Sequence, residues 1–225
     1  MNLTGYVSKE ELKVPKPINE IEEWVGSLLL RYTESEEAKE FLQFKKGITK
    51  EIVDELIPLS KYCKHYYSDT NCYLKFYPDS DTSFDAEIIS ENGDLVERVE
   101  VTMAINGHEH QMQAEALREF GMVSSWGMPE YSGTAKDRVI TEPELTTIDS
   151  SEMIVIQSIL VQEAYDKKQA NIHKYPNTTL LIGFYFPCMF PHELGALTNL
   201  PLLKENTFCS VKCVSILDDH HWSIK

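Results

Sequence analysis

A chain of 225 residues, 42% hydrophobic and 25% charged, has the size and composition of a globular domain with a sizeable core, which excludes wholesale disorder. A formal net charge of −15 excludes a surface that grips phosphates everywhere. It leaves a small local patch for DNA, a basic protein partner, or no nucleic acid at all. The longest apolar runs are strand-length, so no membrane span is expected, and the N-terminal MNLTGYVSKEELK has no apolar leader core, which predicts a cytoplasmic protein.

Residues 1–17 read as a flexible lead ending in Val14-Pro15-Lys16-Pro17, where the prolines favour extended backbone. A helix is predicted over 18–32, capped by Asn19, with Ile21, Trp24, Val25, Leu28, Leu29 and Tyr32 as its apolar stripe. A second helix covers 36–46 and stops at Gly47. The segment 49–66 turns Ile52, Val53, Leu56 and Ile57 inward and is expected to kink or divide at Pro58. Residues 1–48 thus form a helical extension packed on an α/β core of 49–225, a single compact unit overall.

Three strands follow, at 72–77, 83–89 and 96–105, and then a helix over 109–120 that stops at Gly121. Residues 122–146 carry Gly, Pro, Ser and charge without a period, as functional or mobile loops do. Trp126 and Tyr131 within them either contact a partner or anchor the loop. Asp149 and Glu152 open the best-signalled helix, which runs through Met153, Ile156, Ile159, Leu160 and Ala164 to Lys167 and Lys168. The apolar run 178–186 predicts a central strand covered on both faces, and a last strand is predicted over 207–217.

Cys63, Cys72, Cys188, Cys209 and Cys213 form no CxxC pair and read as reduced thiols. His108-Glu109-His110 follows the turn pair Asn106-Gly107, which puts both histidines at an exposed helix start; they bind a metal only if further ligands converge. No nucleophile elbow, P-loop or dinucleotide glycine pattern occurs.

The informative stretch is the strand pair. Side chains alternate along a strand, so Asp85 and Glu87 share one face of the second, and Glu100, Thr102 and Ala104 share one face of the third. Pairing across the turn Glu91-Asn92-Gly93-Asp94 lays Asp85 beside Glu100. Two such carboxylates repel unless a cation joins them. The plain alternative is an unrelated α/β domain with a solvated acidic face, beside which Glu97 and Arg98 are further surface charge.

The order of elements, with Asp85 on the second strand and Glu100-Val101-Thr102 on the third, resembles the PD-(D/E)XK nuclease-like superfamily. In that family an Asp lies on the second strand and a Glu-x-Lys on the third; here Thr102 stands where the Lys would be. The likeness spans roughly residues 50–217 and implies a restriction-endonuclease-like mixed central sheet flanked by helices. It also implies Asp85 and Glu100 as metal ligands, and these two with Thr102 as the catalytic positions, with Mg²⁺ or Mn²⁺ activating a water against a DNA phosphodiester in a defence, mobile-element or repair setting. A further ligand is implied on a helix before the first strand, where Glu55 or Glu51 is the nearest match. Gln111, Gln113 and Glu115 are further candidates to face the site. Pro78-Asp79 looks like the family's Pro-Asp but precedes Asp81 and reads as a turn. Thr102 carries no charge, so activity requires a cation from elsewhere, such as Lys75 or Lys168. Without one, the fold implies an inactive, acidic protein-binding or regulatory module.

Overall fold

The structure, a computed structural model, describes residues 6–78, 82–123, 129–134, 137–142, 149–185 and 208–224. A short helix α1 (Lys9–Leu12) and a two-residue strand β1 (Lys16–Pro17) lead into α2 (Ile21–Arg31) and α3 (Glu36–Gln43). The chain then runs through a helical turn α4 (Ile48–Glu51), a π-helical segment (Ile52–Leu56) and α5 (Ile57–Tyr67) without a break. Strands β2 (Cys72–Phe76), β3 (Ala86–Ser90) and β4 (Leu95–Met103) precede α6 (Gly107–Phe120). A small hairpin, β5 (Tyr131–Ser132) with β6 (Val139–Ile140), is followed by α7 (Ser150–Gln169). Strands β7 (Thr179–Phe184), β8 (Ser210–Ser215) and β9 (His221–Ile224) end the described chain.

The main sheet has the order β1-β2-β3-β4-β7-β8-β9. It is mixed: β4, β7 and β8 run parallel, and the flanking pairs are antiparallel. The fold is therefore α/β with helices on both sides of a seven-stranded sheet. One face packs α2, the π-helical segment and α5 against Leu74, Val99, Val101 and Leu181, and Val7, Leu12 and Ile18 join this same core. The other face packs Val161, Ala164 and Tyr165 of α7 against Leu180, Ile182, Cys213 and Trp222. β7 is buried throughout, as an apolar run between two helical layers must be.

Several sequence expectations need correction. The first long helix is not capped by Asn19: a 3₁₀ turn, Ile18–Glu20, precedes it, and Glu20 makes no side-chain cap. The division expected at Pro58 is present: the helical run changes from π-helical to α-helical at Ile57, and Pro58 stands in the first turn of α5. The irregularity lies before it, in the π-helical turn. The last strand is a pair: β8 folds back through a turn at Asp218 and Asp219 to β9. Glu97 is not solvated surface charge but half-buried, accepting hydrogen bonds from Tyr62 (2.6 Å), Tyr67 (2.8 Å) and Thr179. Arg98 pairs with Glu87, its cross-strand neighbour, at 3.3 Å.

Cys63 and Cys213 are buried free thiols, Cys72 is half-buried and Cys209 exposed; Cys188 lies outside the described residues. Trp126, Asp79 and Asp81 also lie outside them. Tyr131 stays exposed, with Arg138 over its ring at 5.3 Å.

Gly183 marks a close approach of α5 to the sheet. A Cβ there would stand 2.6 Å from Met103 Sδ and 2.9 Å from Pro58 Cγ. Met103 can swing away, but the Pro58 ring is fixed in its helix. Gly183→Ala is expected to cost about 1–3 kcal/mol in urea unfolding, the usual range for overpacking; an unchanged midpoint would show that α5 shifts freely over the sheet.

Candidate active site

The sequence places the two carboxylates through one local device, the turn after β3. Gly93 adopts φ 84°, a conformation that glycine takes without strain, and Ser90 N–H donates to Asp94 O at 2.8 Å. This fixes Ala86 opposite Val99, despite a bulge at Ile88/Ile89. Asp85 thus falls opposite Glu100, just beyond the regular end of β3, with its N–H donating to Val99 O at 3.0 Å.

Here the sheet changes partners. β4 pairs with β3 up to Val99, and with β7 from Val99 to Met103. Past Glu100 the edge that β3 has left is closed by a side chain instead of a strand: Asp85 Oδ2 accepts the Val101 N–H at 2.7 Å. That bond orients the Asp85 carboxylate over the strand opening.

Glu100 is 6% exposed, on the α7 face of the sheet. Lys168, in the last turn of α7, donates from Nζ to Glu100 Oε1 and lies 5.6 Å from the Tyr175 ring. Glu55 enters from the π-helical segment, close enough that the Asp85 and Glu100 charges act on it. Glu55 and Lys168, from two helical segments, therefore each act on the Asp85–Glu100 pair. Glu51, one helical turn before Glu55, adds a buried Oε2 with no hydrogen-bond partner.

The energetics follow from this crowding. Burial, and then the Asp85 charge, push Glu55 up to about 8. The same two causes push Glu100 up to about 7, although Lys168 pulls the other way. Asp85 is raised by burial, against the pull of the Val101 N–H and of Lys168. Burial disfavours the Lys168 ammonium, but Glu100 more than offsets it and its pKa rises. The Asp85 charge thus disfavours ionisation of Glu100, as two neighbouring carboxyls do when no metal joins them.

A pH dependence follows. The folded protein holds protons on Glu55 and Glu100 that an unfolded chain would release near 4.5. Stability from these groups is therefore fully present below about pH 4.5 and is lost as pH rises toward 8. Thermal melts in EDTA are expected to fall across that window, and saturating Mn²⁺ is expected to reverse the fall as it displaces about one to two protons. A flat profile in EDTA would mean that the carboxyls are solvated.

The other sequence candidates go elsewhere. Thr102 lies two residues beyond Glu100, opposite Ile182 of β7, and is half-buried. Lys75 lies over the Tyr77 ring at 4.9 Å, opposite Glu87. Gln111 donates to Glu115, Gln113 to Glu109, and Arg138 pairs with Glu115, so these residues are bonded along α6. His108 is exposed, but His110 is not: it is half-buried beside Tyr185, and burial, then Lys45, lowers its pKa. Lys168 is the residue whose role sequence reasoning could only guess; its position beside Lys167 at a helix end carries no signal of what it faces.

Among the described residues no three His, Cys, Asp or Glu side chains stand close enough to hold a metal by themselves. The donors available are hard carboxylate oxygens, in particular Asp85 and Glu100 with Glu55 behind them. Such a set suits a small hard dication held by two carboxylates and completed by water, as Mg²⁺ commonly is, and does not suit a protein-only cage. No helix among the described residues is long and apolar enough to cross a membrane. No known family, curated protein or solved structure matches the chain.

Proposed function

We propose that the protein is a metal-dependent phosphodiesterase of the PD-(D/E)XK nuclease-like type, cleaving DNA. The observation that carries this reading is the ion pair between Lys168 and Glu100 beside Asp85: a cation stands at the carboxylate pair although position 102 holds Thr. It speaks against one of the two motives for the competing reading, an inactive acidic binding module, and leaves the other, the net charge of −15, in place.

A dication at Asp85 and Glu100 would polarise a phosphate oxygen and lower the pKa of an attacking water. The chain's own residues would do the rest. The Val101 N–H holds Asp85 in one orientation. Lys168 Nζ, tied to Glu100, offsets negative charge that builds on the phosphate in the transition state. Glu55, titrating near 8, can take up or release a proton at working pH. Glu100 is buried and the other three groups are half-buried, which strengthens each interaction relative to water.

The test is calorimetric titration of the wild-type protein with Mg²⁺ and Mn²⁺, with plasmid nicking followed on the same sample. Binding with nicking supports the reading. Absence of both would sink it and return the chain to the binding-module class.

A further inference from the structure

Beside the carboxylates lies a feature at odds with a chain of net charge −15: a cavity of about 460 Å³ whose charged lining is Lys45, Lys46 and Lys50 against the single acid Asp54. We propose that this cavity seats a backbone phosphate of a nucleic-acid strand, next to the phosphate presented to Asp85 and Glu100. The inference rests on the phosphodiesterase reading for what is cleaved, but binding itself is independent of the metal.

The turn after α3 builds the cavity wall. Lys45 adopts φ 48° and Gly47 φ 58°, which reverses the chain and brings Lys45, Lys46 and Lys50 to one hollow. Their states differ. Lys45 is a wall residue, 2.6 Å from Asp54 and 5.4 Å from the Tyr185 ring. Lys46 pairs with Glu40 at 2.8 Å but is 47% exposed, with its ammonium over Phe41 and Phe44. Lys50 is exposed and makes no salt bridge among the described residues, and its charge is felt at both Glu55 and Asp85. Lys50 thus projects the cavity's charge toward the carboxylate site, and Asp54 of the lining is the chain neighbour of Glu55. Gly107 and Gln111, in the first turns of the 14-residue α6, form part of the opposite wall, where the helix dipole adds positive potential.

The chemistry selects the ligand. Phe44 lines the cavity, but its ring already lies against Lys46 (5.3 Å) and Arg118 (5.1 Å), so what the cavity offers a ligand is cationic charge, which recognises a phosphate and not a base. A seat that shares its lining lysine's field with the cleavage carboxylates fits a polymer, which offers a second phosphate there. The area is small, so one or two phosphates are neutralised, and binding by a −15 chain is correspondingly weak and steep in salt.

The experiment measures binding of a short, labelled single-stranded DNA in EDTA across a salt series, for wild type, the double variant Lys46→Gln/Lys50→Gln, and Lys64→Gln. Lys64 serves as the control because it is anchored to Glu22 and Asp219. The double variant is expected to bind about tenfold more weakly at low salt, with a log–log salt slope shallower by about one to two, as the loss of two phosphate contacts requires. Lys64→Gln should match wild type, and calorimetric Mn²⁺ binding should persist in all three. Unchanged affinity in the double variant, or an equal loss in Lys64→Gln, overturns the proposal. Failure of the phosphodiesterase reading would appear separately, as absent metal binding by a wild-type protein that still binds DNA.

Discussion

Asp85→Asn is expected to abolish Mg²⁺ and Mn²⁺ binding and to lower nicking by about 10³-fold or more, the rate equivalent of several kcal/mol of lost charge stabilisation. The substitution is chosen because of Val101. Its N–H is buried, and the Asp85 carboxylate is its acceptor. An Ala would orphan that N–H at a cost of about 1–3 kcal/mol and confuse folding with chemistry. An Asn keeps an acceptor oxygen and removes only the charge. The metal-free variant should therefore melt no lower than wild type near pH 8, since Glu55 and Glu100 lose a like-charged neighbour. Loss of activity with retained stability marks a functional carboxylate; retained metal binding would exclude Asp85 as a ligand.

Lys168→Met should separate catalysis from binding. Turnover is expected to fall about 10²–10³-fold, the range for removing one donor from a developing charge. Metal affinity should hold or rise, because a cation beside the site has gone. Without Lys168, Glu100 keeps its proton to higher pH, so the rising limb of the pH–rate profile should move upward. Adding Thr102→Lys to that variant returns an ammonium to the strand and should recover part of the rate. Wild-type turnover by Lys168→Met would reduce the pair with Glu100 to a structural contact.

The contrast between these residues shows what a sequence can carry. The register that sets Asp85 beside Glu100 is legible because it is local: two alternating strands, a four-residue turn and a glycine decide it. The helical layers and the buried β7 are legible for the same reason, through periodicity. The Lys168 contact is not, since 68 residues separate it from Glu100 and it depends on how α7 lies across β4. Glu97 misleads in the opposite direction: its partners Tyr62 and Tyr67 belong to another layer, so a buried carboxylate reads as surface charge. β1 and β9 both escape notice: two residues carry no alternation, and the four of β9, with Trp222 and Ile224 inward, are too few to separate from a chain end.

The π-helical turn has one further consequence. A turn of this kind holds one more residue than the α-helical turn it replaces. It sets the angular phase between Glu51 and Glu55 on one side and the apolar face of α5 on the other. Removing one residue from Ile52–Leu56 would let the turn relax to ordinary pitch, so the helices on either side would keep their faces while the residues inside the turn, Glu55 among them, change phase. The core contacts of α5 would survive, but Glu55 would swing out of line with Asp85. In this stretch the number of residues is more tightly constrained than their identity, and a deletion there harms the site more than most substitutions.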